Sequence, residues 1–404
     1  MNSSIRYHGL DALRAFAMIM GVVLHSSMFY VEGIGQELGY ELTGRILIPI
    51  SPTLGVVFFF IHTWRMPVFF LLAGFFARLI VERRGVTNLL KNRFVRIVIP
   101  LVTGSVIYNL FFGFGNLNEL HHLWFLYDLL WMYLLLICMK YASRIWPGVV
   151  AKIDWVFGST TRLWWLMVPL IPATVIGRPM FFNWISTEIG ASGPFFVLGF
   201  TYVLIGWFMH RNAQILVGLA GIWKRYFVLG IISFIGLIVV LGVLDARKDD
   251  SVAGLFYLVG LVISPFATFL LVMGFMGGSQ AIFQSSNKLF SYFVDASYWI
   301  YLLHLVVVFA IGAAIIENTY LDPIYAVSVN MIAATSICIV TYHIFVRYTP
   351  VGWVLHGKKG RFTDVFRIFG MGSMLSRTPQ GDLEHADLIQ STYKIADRDD
   401  ESSK

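Results

Sequence analysis

The chain has 404 residues, 57% of them hydrophobic and only 13% charged, with a mean hydropathy of +0.73. Soluble domains carry about 25% charged residues, so this composition excludes a soluble multidomain protein, a disordered chain and a disulfide-stapled secreted scaffold. The net charge of +7 does not point to nucleic acid, because the basic residues sit in short segments between apolar stretches, the pattern of a positive-inside membrane protein.

A bilayer crossing takes about 20 apolar residues. Ten stretches qualify, near 10–30, 54–81, 97–115, 122–142, 163–182, 194–210, 226–245, 252–277, 291–315 and 324–347. The two cysteines, Cys138 and Cys338, lie inside such stretches and are not expected to form a disulfide. No removable signal peptide is expected, since the first stretch contains Asp11, Arg14 and His25 and lacks a small-residue cleavage pattern. With ten crossings, Arg83, Arg84, Lys91, Arg93, Arg96, Lys140, Arg144, Lys224 and Arg225 fall on the side of the N-terminus. The opposite side holds only Arg45, Arg178, Arg247 and Lys248. This asymmetry places both termini in the cytoplasm. The expected fold is therefore an all-α polytopic membrane protein of about ten transmembrane helices. Residues 1–347 form the membrane domain, and residues 348–404 form a cytoplasmic tail whose charged end, ADRDDESSK, does not pack.

Ionisable residues inside these stretches cost about 2.5–3.5 kcal/mol each on insertion scales, so each requires a partner or a function. In the first stretch Arg14 and His25 are eleven residues apart, which on an α-helix puts them on one face, about 16 Å apart along the axis. Asp11 is one turn before Arg14, at ion-pairing distance on a helix. A snorkelling arginine and a packed histidine would explain the pair without function, but their shared face argues against that. The second stretch is long and contains His62 and Arg65 one turn apart in its middle, where it is expected to tilt or break; Pro67 just beyond could free carbonyls that accept from Arg65. Structural pairing of Arg65 with a neighbouring helix is the plain alternative.

Arg93 and Arg96 follow in RFVRIVIP, at the cytoplasmic mouth. Paired guanidinium groups suit phosphate, although basic loops are common on that side in any case. The fourth stretch opens with HHLWFLYDLL, carrying His122, Trp124 and Asp128, and the ninth contains His304 within SYWIYLLHL. By helical rise His25, Asp128 and His304 lie at similar depth in the outer half of the membrane, which predicts a cavity fed by several helices. There is no P-loop, serine elbow or metal-spaced His/Cys set. GFGNLN (113–118) reads as a loop rather than a dinucleotide fingerprint. An enzyme of this sequence would work with histidine and arginine, without a metal.

Taken in order, LDALRA with His25 ten residues beyond Arg14, FFLLAGFF, RFVRIVIP and SYWIYLLHL resemble the acyltransferase 3 family of integral membrane acyltransferases over about residues 5–355. IHTWRMPVFFLLAGFF, HHLWFL and RYTPVGWV resemble the branch of that family that succinylates osmoregulated periplasmic glucans. The resemblance implies a bacterial inner-membrane enzyme that moves an acyl group, other than an amino-acyl group, from cytoplasmic acyl-CoA to a glycan hydroxyl on the periplasmic side. For this branch the acyl group is succinyl; acetyl is the other candidate. Its partners are acyl-CoA, the glycan acceptor and membrane lipids, with no nucleic acid and no permanently bound cofactor. Carried over, Arg14 and His25 match the family's first-helix pair, and Arg93 and Arg96 its second basic motif. That motif is usually Arg-x-Arg, whereas here two residues intervene.

The expected catalytic set is His25 as general base, Arg14, and Asp128 orienting His25. Arg93, Arg96 and Arg65 are expected to bind the acyl-CoA, and His62, His122, Trp124 and His304 the substrate. Direct attack on the thioester and acylation of His25 both remain open. A transporter or flippase for a glycan or small anion is the competing class, because charges at mid-depth mark a pathway as readily as a catalytic site.

Overall fold

The computed structural model describes residues 7–35, 49–111, 120–177, 193–246, 251–285 and 288–356. Among them every regular element is helical. The elements are α1 (His8–Ser27), α2 (Pro52–Arg93), α3 (Ile99–Phe111), α4 (Trp124–Ala142), α5 (Pro147–Phe157), α6 (Met167–Gly177), α7 (Gly193–Arg211), α8 (Ile215–Ala246), α9 (Ser251–Ile282), α10 (Lys288–Asn318), α11 (Pro323–Thr341) and α12 (Pro350–His356). Wide π turns cover Phe94–Val98 and Tyr342–Val346, and a 3₁₀ turn, Met28–Tyr30, extends α1.

Among the described residues, eight helical segments are long and apolar enough to cross a membrane. Seven correspond one to one with expected crossings. The eighth, Pro52–Leu110, runs for 59 residues with no intervening loop and contains the second and third expected crossings. A straight helix of that length would run about 90 Å, roughly three bilayer cores. Two features divide it. Gly85 takes φ 78° and ψ 172°, a conformation only glycine adopts without strain, and the π turn widens the path at Arg96. The expected break at His62–Arg65 is absent: α2 runs through Pro67, and the break sits at Gly85. Arg162–Gly177 is a shorter apolar segment on the fifth expected crossing. Residues 112–115 and 178–182 of the expected spans, the GFGNLN loop, Arg45, Arg178, Arg247, Lys248 and the tail beyond residue 356 lie outside the described residues.

α1 is the central helix, packed on α2, α9, α10 and α11. Ala12, Ala15, Ala17 and Gly21 along it are small, which brings the neighbouring backbones close, as membrane interfaces favour. α2 and α7 approach through reciprocal glycines: Gly74 sits against the backbone of Val203, and Gly206 against the backbone of Leu71. The α8–α9 hairpin is closed by Gly274 and Gly277 against Phe227 and Leu219. Outward faces carry exposed Val217, Val168, Leu110 and Ile232, the surface a lipid environment covers. α12 packs on α10 and on the π turn bearing Arg96, so the first residues of the expected tail are docked against the bundle.

Candidate active site

One cavity of 580 Å³ runs along the inner face of α1, within the size range of small-molecule sites. Arg14, Arg93 and Arg96 line it at one end, and His25 and His62 at the other, with Arg65, His122, Trp124 and His304 also in its wall. Along α1 the two ends are eleven residues, or about 16 Å, apart. Met18, Leu72, Phe69, Phe76 and Ile80 supply apolar wall.

At the basic end, Arg14 pairs with Asp11 at 3.4 Å, one turn away as the spacing predicts, and stays 38% exposed. Arg96 lies on the π turn within electrostatic reach of Arg93, Arg14 and Arg84. The Arg93 guanidinium stacks over Tyr133 at 4.5 Å. Tyr298 donates its hydroxyl hydrogen to the Arg96 carbonyl, which ties the turn to α10. Like charges are thus held together around one opening, an arrangement that attracts a polyanion.

At the histidine end the ring of His304 lies 5.1 Å from that of His25 and 5.4 Å from that of His122, centroid to centroid. Backbone carbonyls anchor two of the three. Nδ1 of His304 is 2.9 Å from the carbonyls of Ile300 and Tyr301, and Nε2 of His122 is 2.8 Å from the carbonyl of Tyr301. Tyr301 returns its hydroxyl hydrogen to the His122 carbonyl at 2.8 Å, and Tyr108 donates to the carbonyl of Leu302 at 2.7 Å. The His122–Tyr301 bonds lock the 3₁₀ entry to α4 onto α10, and the Tyr108 bond ties α3 to it. Nδ1 of His25 meets Sδ of Met28 at 3.3 Å, a contact made possible by the tight turn at the end of α1. His62 stacks on Phe58.

Arg65 is partly buried in the cavity wall, and its guanidinium rests on α1 at Gly21, beside Nε2 of His304. A side chain at position 21 would overlap Nη1 of Arg65, so glycine creates the seat. Among the described residues no carboxylate lies within ion-pair distance of Arg65, and its Nε has no hydrogen-bond partner. A membrane-buried cation in that state favours an anion brought by a ligand. Among the described residues no group of His, Cys, Asp or Glu is placed to hold a metal ion.

Of the residues singled out from sequence, His25, Arg14, Arg93, Arg96, Arg65, His62, His122, Trp124 and His304 all line this cavity. Asp128 does not: it is buried in α4, away from the lining, and sulfur rather than a carboxylate faces Nδ1 of His25. Sequence reasoning passed over Gly21, Met28, Tyr298 and Tyr301. The tyrosines were accessible to it, since Tyr298, Tyr301 and His304 follow one another at three-residue spacing on one helix face. Gly21 and Met28 had no such signal, because what matters there is the approach of another helix and the shape of a turn.

A helical bundle with membrane-length helices around a cavity that is cationic at one end and imidazole-rich at the other has the form of a membrane protein with an internal chamber. The family model described as an acyltransferase domain matches residues 7–343. The chain belongs to this acyltransferase family, and it is a multi-pass membrane acyltransferase. It is 23% identical to Glucans biosynthesis protein C of Salmonella paratyphi B (strain ATCC BAA-1250 / SPB7), over 87% of this chain and 95% of that protein. The same figures hold for the proteins of that name from Salmonella schwarzengrund (strain CVM19633) and Salmonella enteritidis PT4 (strain P125109). No solved structure matches the chain.

Proposed function

We propose that the protein moves an acyl group from acyl-CoA, bound from the cytoplasm of a bacterium, to a hydroxyl of a glycan on the periplasmic side of the inner membrane. The observation that carries this reading is a cavity whose wall includes Arg14, Arg93 and Arg96 together with His25. The polyanionic end of coenzyme A docks on the three arginines, and its long uncharged arm follows the apolar wall toward His25. The positive-inside asymmetry puts the basic end, and both termini, in the cytoplasm.

At the histidine end the acceptor O–H lies against Nε2 of His25. The hydroxyl oxygen attacks the thioester carbonyl carbon while Nε2 takes its proton. The C–S bond then breaks, and the leaving thiolate recovers that proton from His25. Two relations favour a succinyl group and a glucan acceptor. The similar proteins are named for glucan biosynthesis, and Arg65 offers a bidentate seat for the free carboxylate of a succinyl group.

Release of CoA thiol by the purified protein in vesicles tests this. Succinyl-CoA and acetyl-CoA are offered separately with a glucan oligosaccharide fraction, and His25→Ala is the control. Acceptor-dependent release that the variant abolishes is expected, with succinyl preferred, and Arg65→Ala should reduce succinyl transfer more than acetyl transfer. Passage of labelled glycan across the membrane without thioester consumption would instead make the protein a carrier.

A further inference from the structure

The histidine end has a donor–acceptor pattern that a general base alone does not require. A neutral imidazole has one N–H and one lone pair, and the partner of one nitrogen fixes the role of the other. Carbonyl oxygens and a thioether sulfur accept only. Nδ1 of His304, facing two carbonyls, therefore carries the hydrogen and leaves its lone pair on Nε2. His122 is inverted: Nε2 donates to the Tyr301 carbonyl, and the lone pair is on Nδ1. Nδ1 of His25 donates to Met28, leaving the lone pair on Nε2.

Nε2 of His304 and Nδ1 of His122 have no hydrogen-bond partner, although both atoms are buried in residues that line the cavity. Two imidazole lone pairs cannot satisfy each other. A buried polar atom left without a bond is costly, so a native site that keeps two of them on rings 5.4 Å apart is built for something that donates. A metal ion is a poor candidate. No group here has metal-holding geometry, and the guanidinium of Arg65 beside Nε2 of His304 would repel a cation.

We infer that His122 and His304 form the acceptor-sugar subsite, a pair of fixed lone pairs that receives two O–H groups of a polyol while His25 takes the proton of a third. This rests on the acyl-transfer reading and adds how the acceptor is recognised. Arg65 Nε, also without a partner, supplies the complementary donor for a hydroxyl oxygen. Trp124 and Phe125 in the cavity wall give the ring an apolar face to lie on. The subsite accepts a sugar bearing adjacent free hydroxyls and rejects a mono-alcohol of similar size.

The test is a split between two Michaelis constants in the CoA-release assay. In His304→Leu and His122→Leu the KM for the glucan oligosaccharide fraction should rise about ten-fold or more, while the KM for acyl-CoA stays unchanged. His304→Gln, whose amide oxygen can stand near the Nε2 position, should recover much of the loss. Unchanged acceptor KM in both leucine variants, or equal rises in both constants, overturns the subsite. If the leucine variants do not fold, the intact enzyme decides. Methyl glucoside should compete with the oligosaccharide, and at least two of its monodeoxy analogues should compete about ten-fold less well. No competition, or equal competition by all analogues, overturns it. The two readings fail differently: no acceptor-dependent release by the unmodified protein removes the acyl-transfer reading and the subsite with it. Normal release with an unmoved acceptor KM removes the subsite alone.

Discussion

Gly21→Ala separates the site from the fold. Gly21 lies on α1 between Arg14 and His25, one turn before the histidine, and its missing side chain is where the Arg65 guanidinium rests. An alanine methyl would overlap Nη1, and relief requires the guanidinium to withdraw by more than about 1 Å to reach ordinary contact near 3.5 Å. What must move is the far end of a flexible side chain, so the fold gives way cheaply; glycine to alanine inside a helix even gains about 0.5–1 kcal/mol. Misplacement of a positioning group by about 1 Å costs up to about a hundred-fold in rate. The expected result is an unchanged or slightly raised melting temperature with transfer lowered ten- to a hundred-fold. Gly206→Ala is the matched control, since its methyl would meet the backbone of Leu71 in α2, which cannot swing aside. Overpacking of that kind costs about 1–3 kcal/mol, so Gly206→Ala should lose stability and yield in fluorescence-detected size-exclusion chromatography. Full transfer activity in Gly21→Ala would refute the assignment of Arg65 to the reaction. Destabilisation as large as that of Gly206→Ala would refute the claim that only a side chain is displaced.

Arg93→Ala and Arg96→Ala should each raise the KM for acyl-CoA about ten-fold with little change in kcat, because they hold the distant anionic end. Raising the ionic strength should weaken the unmodified protein in the same direction. Asp128→Asn should retain most transfer activity, since Met28 rather than Asp128 meets Nδ1 of His25; loss of activity with a shifted pH–rate profile would restore Asp128 as the orienting group. Tyr320, 95% exposed after α10, reports topology. With Cys138 replaced by serine, Tyr320→Cys should react with a membrane-impermeant maleimide added outside spheroplasts, and labelling only after lysis would invert the orientation.

Much of this architecture is legible in the chain because membranes make periodicity and charge unusually informative. Apolar runs of fixed minimum length locate the helices, and an ionisable residue within one stands out against its cost. Arg14 and His25 could be put on one face by counting turns, and Arg65 could be marked by depth alone. What was not legible depends on contacts between helices. Hydropathy divides residues 54–115 into two crossings but cannot tell that a kink at Gly85, a glycine at positive φ, joins them in place of a loop. The polar pair His62 and Arg65 looked like the place for a break, yet α2 runs through both and through Pro67, as packed membrane helices often do. Depth matching linked Asp128 to His25 because both lie at one level, but level says nothing of azimuth. Met28, three residues beyond the histidine on a tightened turn, reaches the ring first.

The separation of the two ends has a consequence for selectivity against water. The polyanionic end of the donor, held at the basic end, is about 16 Å of helical rise from the base, so its capture does not by itself assemble the reaction until the arm has threaded the wall. The wall between the ends is apolar, with Met18, Phe69, Leu72, Phe76 and Ile80, and such a wall disfavours a continuous water file. At the far end the lone pairs of His122 and His304 are turned away from their backbone anchors, ready for an acceptor that brings several hydroxyls. A single water satisfies them less completely than a sugar, which presents its donors at fixed spacing and loses little further freedom on binding. In this reading hydrolysis is suppressed by the acceptor subsite as much as by exclusion of solvent. His304→Leu should then lower glycan transfer more than it lowers the slow release of CoA to water, and a parallel fall of both would place the selectivity elsewhere in the cavity.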